Sequence, residues 1–462
     1  MKHIVSRRAG TTIPALFICV FQFVAQTVFS QNSDFLSAEE FVNRRAAVLE
    51  QMADSSVAVF QAANVKTRSN DVEFEYRQDS NFYYLTGISD PNTILVLVKE
   101  GVKLDNGQTL EILFFQKRHP RMSGWLGKQV IPETAEKRFG FKHVRSSDAF
   151  RDMVRVFLDG KKVLYYNFEP DFLYEPVSDE RFFLGRQVKK NLKKKYPGLK
   201  VKSPAKILTA LRQIKSPAET ELMQKAVDIT CQAHMEVMRS ARPGLYEYQL
   251  EAIIEYVFKY HGAEHPAFPS IVGSGPNTSI LHHWKNRRKT KNGELVVLDI
   301  GAEYSGYSAD VSRTIPINGE FSEKQREIYE IVLQAQKAAI AAVKPGVPFR
   351  DVHKVAKKVI DDAGYAKYFT HGTSHYLGLD THDVGDYGLL KAGMVITVEP
   401  GIYIAEGAEV DKSYWNIGIR IEDDVLVTEN GHEILSKSAP KEIQEIEKLM
   451  KEESRISLTF KR

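Results

Sequence analysis

Apolar positions change their spacing along this chain, and the changes divide it. Phe41-Val-Asn-Arg-Arg-Ala-Ala-Val-Leu49 has the three-to-four spacing of a helix. Short continuous apolar runs follow at Val57-Ala-Val-Phe60, Ile94-Leu-Val-Leu-Val98, Ile112-Leu-Phe-Phe115 and Val163-Leu-Tyr-Tyr166, separated by Gly, Asn and Asp clusters. Runs of that length between turn formers predict strands, so residues 37 to about 160 read as a mixed α/β domain. The lysine-rich stretch from 187 to 200 predicts a solvated helix face and linker. Ser203-Pro204 and Ser216-Pro217 mark the passage to a second domain.

The second domain is written twice. Helical spacing from Glu219 to Arg239 runs into Pro243-Gly244, and helical spacing from Glu323 to Val343 runs into Pro345-Gly346. Each Pro-Gly is followed by another amphipathic stretch, ending near Gly262 and Gly364, so both markers recur at an offset of 102 residues. Further on, Leu295-Val-Val-Leu-Asp299-Ile-Gly301 corresponds to Val395-Ile-Thr-Val-Glu399-Pro-Gly401. The predicted unit is helix, turn, helix, then strands, with one carboxylate at the end of an equivalent strand in each half.

Other chemically capable residues cluster around those two carboxylates. Asp310 follows the turn Gly306-Tyr-Ser-Ala, His375 lies in His371-Gly-Thr-Ser-His375, and Glu422 lies in Arg420-Ile-Glu422-Asp-Asp424. Taken singly, each is an ordinary turn, surface or packing residue. Together, Asp299, Asp310, His375, Glu399 and Glu422 are four carboxylates and one imidazole, a set too negative to bury without cations. Two divalent metals would neutralise it, and a pair of metals is the apparatus of a dinuclear hydrolase. The hard, oxygen-rich donors suit Mn²⁺ better than a thiolate site. The strand-turn-strand pattern from 299 to 310 is expected to aim both side chains at one point from strands.

Composition narrows this little. The chain of 462 residues has a formal net charge of +4, and three of those charges (Lys2, Arg7, Arg8) precede residue 31. The remainder is nearly neutral, which gives no case for nucleic-acid binding. Basic residues followed by the apolar run Ile13 to Ala25 read as a secretory signal over residues 1–30, so export to a periplasm or the medium is expected. The alternatives are an uncleaved membrane anchor or a mitochondrial presequence. No stable membrane insertion is expected once the signal is removed. Of the two cysteines, Cys19 would leave with the leader. Cys231 is then alone, without an internal disulfide.

The ligand order, with His371-Gly-Thr-Ser-His375, Glu399-Pro-Gly401 and Arg420-Ile-Glu-Asp, resembles the pita-bread metallopeptidases. Within them the chain is most similar to the X-Pro aminopeptidases, or aminopeptidases P. That similarity extends to Ile271-Val-Gly-Ser-Gly275, Ile280-Leu-His282, Asp310-Val-Ser-Arg-Thr314 and, in the first domain, Tyr76-Arg-Gln-Asp-Ser-Asn-Phe-Tyr-Tyr-Leu-Thr-Gly87. The resemblance implies an α/β N-terminal domain over 31–205, a duplicated α+β pita-bread catalytic domain over 206–440, and a tail over 441–462.

It also implies release of the N-terminal residue from peptides with proline second, by a hydroxide held between two metal ions. Asp299, Asp310 and Glu422 would hold the metals, Asp310 and Glu422 shared between them, with His375 and Glu399 completing one. Glu399 would carry the proton from water to the leaving nitrogen. His282 and His382 would flank the scissile carbonyl, and His371 would line the proline pocket. Tyr403 and Arg420 would steady Asp299. Tyr83 falls where the family can carry a tryptophan near the substrate. A homo-oligomer, dimer or tetramer, is expected. The alternatives are a prolidase, needing a cation such as Lys128, Arg121 or Arg420 to pair a dipeptide's carboxylate, and an inactive peptide-binding protein on the same fold.

Overall fold

The computed structural model describes residues 35–104, 107–117, 124, 132–167 and 179–456. The expected leader and the cations Arg121 and Lys128 lie outside the described residues.

The predicted runs in the first domain form one mixed sheet. Its strands lie in the order Val144–Ser146, Gly107–Phe115, Ile94–Leu104, Ser56–Gln61, Val163–Tyr165, Lys200–Lys202. The three central strands pair antiparallel and the outer ones parallel. Alternate residues point to opposite faces. Val57, Val59, Val96 and Val98 pack with Phe157 on one face. Ala58, Phe60, Leu95 and Leu97 pack on the other with Phe41 and Val48 of the helix Ala38–Gln51. Burial on both faces explains why the sequence shows unbroken apolar runs instead of alternation.

The duplication is realised in the second domain. The helices Pro217–Ser240 and Glu323–Ala342 each open with a capping box, from Ser216 with Glu219 and from Ser322 with Gln325. They are 24 and 20 residues long. That difference of four, about one turn, matches the caps lying 106 apart and the Pro-Gly turns 102 apart. Gly244 and Gly346 both turn with positive φ, +94° and +82°. The partner helices Glu247–Tyr260 and Phe349–Asp362 have 14 residues each. Against these four helices lie the strand Leu295–Ile300, paired antiparallel with Ile271–Ser274 and Val311–Pro316, and the strand Val395–Val398, paired with Asp423–Thr428. Leu298, Ile300, Ile396 and Val398 share one core with Ile254, Val332 and Ala356.

One boundary differs from the sequence expectation, and the junction between the two domains is packed. The segment expected as a tail begins as a core element: Ile443, Ile446 and Leu449 of the helix Ile443–Leu449 are buried with the catalytic-domain core. Leu222, Met223 and Ala226 of the helix Pro217–Ser240 pack into the same cluster as Phe41 and Leu85, so an apolar core is shared across the domain junction.

Candidate metal centre

All five expected ligands line one cavity of about 370 Å³, together with His282, His371, His382 and Arg420. Only Asp299 sits within a strand. Asp310, Glu399 and Glu422 lie immediately before Val311, after Val398 and before Asp423, at strand ends, and His375 precedes the isolated bridge residue Tyr376. This corrects the expectation of strand-borne ligands. A strand interior sends successive side chains to opposite faces, whereas strand ends from both halves can converge on one point.

Ligand atoms of Asp310, His375 and Glu422 lie within 4.8 Å of one another. His375 Nε2 is 3.4 Å from Asp310 Oδ2 and 3.7 Å from Glu399 Oε1. Its Nδ1–H donates to the Tyr376 carbonyl at 3.0 Å, which leaves Nε2 with a free lone pair facing the carboxylates. Each carboxylate-bearing segment is fixed by its backbone. The Glu399 amide donates to the Thr373 carbonyl, the Glu422 amide to Ser312, and the Asp310 amide to Asp424 Oδ2.

Arg420 is the cation of this cluster. Its Nη2 donates to Asp299 Oδ2 at 2.6 Å, Nη1 to the Tyr403 hydroxyl at 3.1 Å and Nε to Ser312 Oγ at 2.9 Å. Ser312 in turn donates to Glu422 Oε2 at 2.8 Å. Arg420 therefore steadies Asp299 directly and Glu422 through a hydroxyl. Buried, and engaged by Asp299, Tyr403 and Ser312, it is committed to the ligand cluster and is not presented as a free cation for a dipeptide's carboxylate.

One guanidinium does not balance four carboxylates. Burial pushes the Glu399 carboxyl up to about 8, with Asp310 and Asp299 adding repulsion against the opposing His375 and Arg420. Burial and neighbouring acids also hold Asp310 and Glu422 well above the usual carboxylate range. Asp299 Oδ1 is buried without a hydrogen-bond partner. Acids crowded at this separation, with an orphaned oxygen aimed among them, fit a resident pair of divalent cations.

The histidines divide by role. His382 stacks on His375, and partial burial, His375 and His282 lower it to about 4, so its ring is neutral. Burial and Arg420 lower His371 to about 4 as well. His371 spends both nitrogens internally: Nδ1–H donates to the Gly372 carbonyl at 2.7 Å and Nε2 accepts from Tyr403 at 2.8 Å. It therefore presents carbon edges to the cavity. His282 lines the cavity wall.

Models of known families divide the chain as its strands do. The metallopeptidase family M24 model matches residues 221–429, and the aminopeptidase P N-terminal domain model matches residues 41–165. The chain is 37% identical over 446 residues to the Xaa-Pro aminopeptidase of Escherichia coli K12, covering 90% of this chain and 98% of that protein. The chain belongs to the M24 metallopeptidases of the aminopeptidase P type. An E. coli aminopeptidase P structure with the inhibitor Pro-Leu superposes with a TM-score of 0.80 at 36% identity, covering 90% of this chain and 98% of that one. A zinc-substituted E. coli aminopeptidase P with product matches equally, with a TM-score of 0.80 at 36% identity and the same coverage. Membership in M24 carries divalent metal chemistry, in agreement with the donor set.

Against this M24 frame, one expected site residue is displaced. Tyr83 does not line the cavity. It lies in the helix Ser80–Thr86 against Gly306 of the turn between Asp299 and Asp310, because that helix packs on the outside of the ligand-bearing hairpin. Several supporting residues were not foreseen. Ser312 links Arg420 to Glu422, and its signal was strand register, since it pairs with Asp299 across the sheet. Thr397 Oγ accepts from the His375 amide. Arg212 donates to Asn81 Oδ1 at 2.7 Å, Asp380 Oδ2 at 2.7 Å and Asp383 Oδ1 at 2.5 Å, fixing the loop that carries His382 to the first domain. His283, next to His282, is 3.1 Å from Glu247 and anchors its loop.

Proposed function

We propose that this protein is a metal-dependent aminopeptidase that removes the N-terminal residue from peptides with proline in second place, with manganese as its working metal. The observation that carries the reading is the convergence of Asp299, Asp310, His375, Glu399 and Glu422 on one cavity walled by three further histidines. Asp299, Asp310 and Glu422 would hold the cations, with His375 and Glu399 completing one of them. When bound, such cations supply an activated water and polarise the scissile carbonyl.

The chain's own groups do the rest. Glu399, whose carboxylate lines the cavity beside the other ligands, is suited to taking a proton from water and delivering it to the proline nitrogen. That delivery matters because a bond to proline leaves an imino nitrogen that must be protonated to depart. Neutral His382, with His282 on the same cavity wall, donates N–H to the carbonyl oxygen as charge develops there. His371, with both nitrogens engaged, offers an apolar edge to the proline ring. Tyr403 and Arg420 hold Asp299 and His371 in place.

Oxygen-rich donors favour Mn²⁺, and the basic and apolar pattern of residues 1–30 favours export from the cytoplasm. No helix among the described residues is long and apolar enough to cross a membrane. We further infer a homo-oligomer and a preference for peptides longer than two residues, since Arg420 is engaged by Asp299 and cannot serve a dipeptide. The test is product analysis on Arg-Pro-Pro and Arg-Pro with added Mn²⁺. Release of arginine chiefly from the tripeptide supports the reading, and a preference for the dipeptide makes the protein a prolidase.

A further inference from the structure

The segment Ile280 to Gly293, which enters the cavity at Leu281 and His282, carries Lys285, Arg287, Arg288, Lys289 and Lys291 and no acid. Its residues separate into two sets. His283, Asn286 and Arg288 are tied inward. His283 Nε2 lies 3.1 Å from Glu247 Oε2, Asn286 is fully buried between the Val272 amide and the Ser270 carbonyl, and Arg288 pairs with Glu294. Asn286 holds a left-handed turn at φ +48°, a conformation that asparagine tolerates. The anchored set throws the other set outward. Trp284 is 62% exposed, Ile280 is 50% exposed, and Lys285, Arg287 and Lys289 are exposed.

The outward cations have no ion pair within 4.0 Å among the described residues. Of the acids on this side, Glu247 is consumed by Ser274, Asn277 and the Arg288 amide, Glu294 by Arg288, and Glu251 faces Asn286 and Arg287. Arg287 rests over the Tyr248 ring at 5.5 Å and Lys289 over Tyr246 at 5.6 Å, on two tyrosines stacked 5.1 Å apart. Aromatic seating limits the freedom of those cations without neutralising them. An exposed tryptophan and arginine, residue types enriched in contact surfaces, stand here on a pinned loop beside further cations without a direct ion pair.

Its position selects the ligand. An enzyme that removes one residue has only that residue upstream of the scissile bond. Everything that leaves the cavity mouth is the downstream part of the peptide. Lys285 is three residues from His282, within about 10 Å along the backbone. We infer that Trp284, Lys285 and Arg287 form a subsite for the residues after proline and favour acidic ones there. The inference rests on the X-Pro aminopeptidase reading and adds to it a preference among substrates.

The test is the ratio of kcat/KM for Ala-Pro-Glu-Glu over Ala-Pro-Lys-Lys, both C-terminally amidated, measured on the full metal-loaded chain. Taking the ratio within each enzyme cancels any difference in folded fraction. The wild-type ratio is expected at about tenfold in low salt, from a few exposed charge contacts, and should approach one at about 0.5 M salt. The double variant Lys285→Glu/Arg287→Glu should bring it below one, and the milder Lys285→Gln should lower it part-way. Trp284→Ala should raise KM for both peptides several-fold and leave kcat in place. A wild-type ratio of one or less, or a ratio unmoved by either charge variant, overturns the subsite while leaving X-Pro cleavage standing. Failure of the wild type to cleave any X-Pro peptide overturns both.

Discussion

The rings of His375 and His382 stack with centroids 4.0 Å apart and planes 25° from parallel. The two residues precede Tyr376 and Asp383, whose backbone pairing closes the loop between them. Burial, with His375 and His282 close by, keeps the His382 ring neutral, so it has an N–H to donate. His382→Ala should therefore lower kcat by about a hundredfold with little change in KM, as loss of a donor used in the transition state does. Steady-state kinetics beside a metal analysis checks this. A rise in KM alone would make His382 a ground-state contact.

Glu399→Gln keeps the shape of the side chain and removes its proton-accepting oxygen. Turnover should fall by about a hundredfold or more. Metal content measured on the same preparation separates lost proton transfer from lost metal, and a drop below about tenfold with metal retained would remove Glu399 from the proton path.

Arg420→Met should reduce metal affinity by about ten- to a hundredfold, because Asp299 and, through Ser312, Glu422 lose their orienting partner. Isothermal titration of the chelated protein with Mn²⁺ reads this directly. Ser312→Ala should produce a smaller loss in the same direction.

Metal uptake should release protons. In the metal-free protein Glu399 is raised to about 8, and Asp310 and Glu422 are raised as well, so the folded state holds protons that the unfolded state gives up near the ordinary carboxylate range. The sign follows: these groups make metal-free stability fall as pH rises from about 4.5 toward 8. Metals displace those protons, so apparent metal affinity should rise over the same window. The chelated protein should melt lower at pH 8 than at pH 6, and Mn²⁺ should raise its melting temperature more at pH 8. A chelated protein whose melting temperature rises over that range would contradict the proton inventory.

Much of this was legible in the chain because it depends on local pattern. The duplicated helix pair announced itself through Pro243-Gly244 and Pro345-Gly346, since turn chemistry is written at fixed positions. The five ligands were legible as a set, because four carboxylates and a histidine recurring in the two halves of one duplicated domain make sense only together. What escaped notice depends on pairing between distant segments. Ser312 becomes important only through its register opposite Asp299, and Arg212 only because Asn81, Asp380 and Asp383 meet it across a domain junction. Tyr83 was expected beside the substrate from its place in a motif. The helix that carries it packs behind the Gly306 turn, and no local pattern encodes that docking.

The central claim is metal-dependent removal of a residue that precedes proline, and one comparison tests it most directly. We would measure kcat/KM on Ala-Pro-Ala and Ala-Ala-Ala with the Mn²⁺-loaded protein, after chelation, and after Mn²⁺ is returned. The account predicts release of alanine from the proline peptide alone, loss of that activity on chelation and its recovery with Mn²⁺. Equal cleavage of the two peptides, or full activity in the metal-free protein, would contradict it.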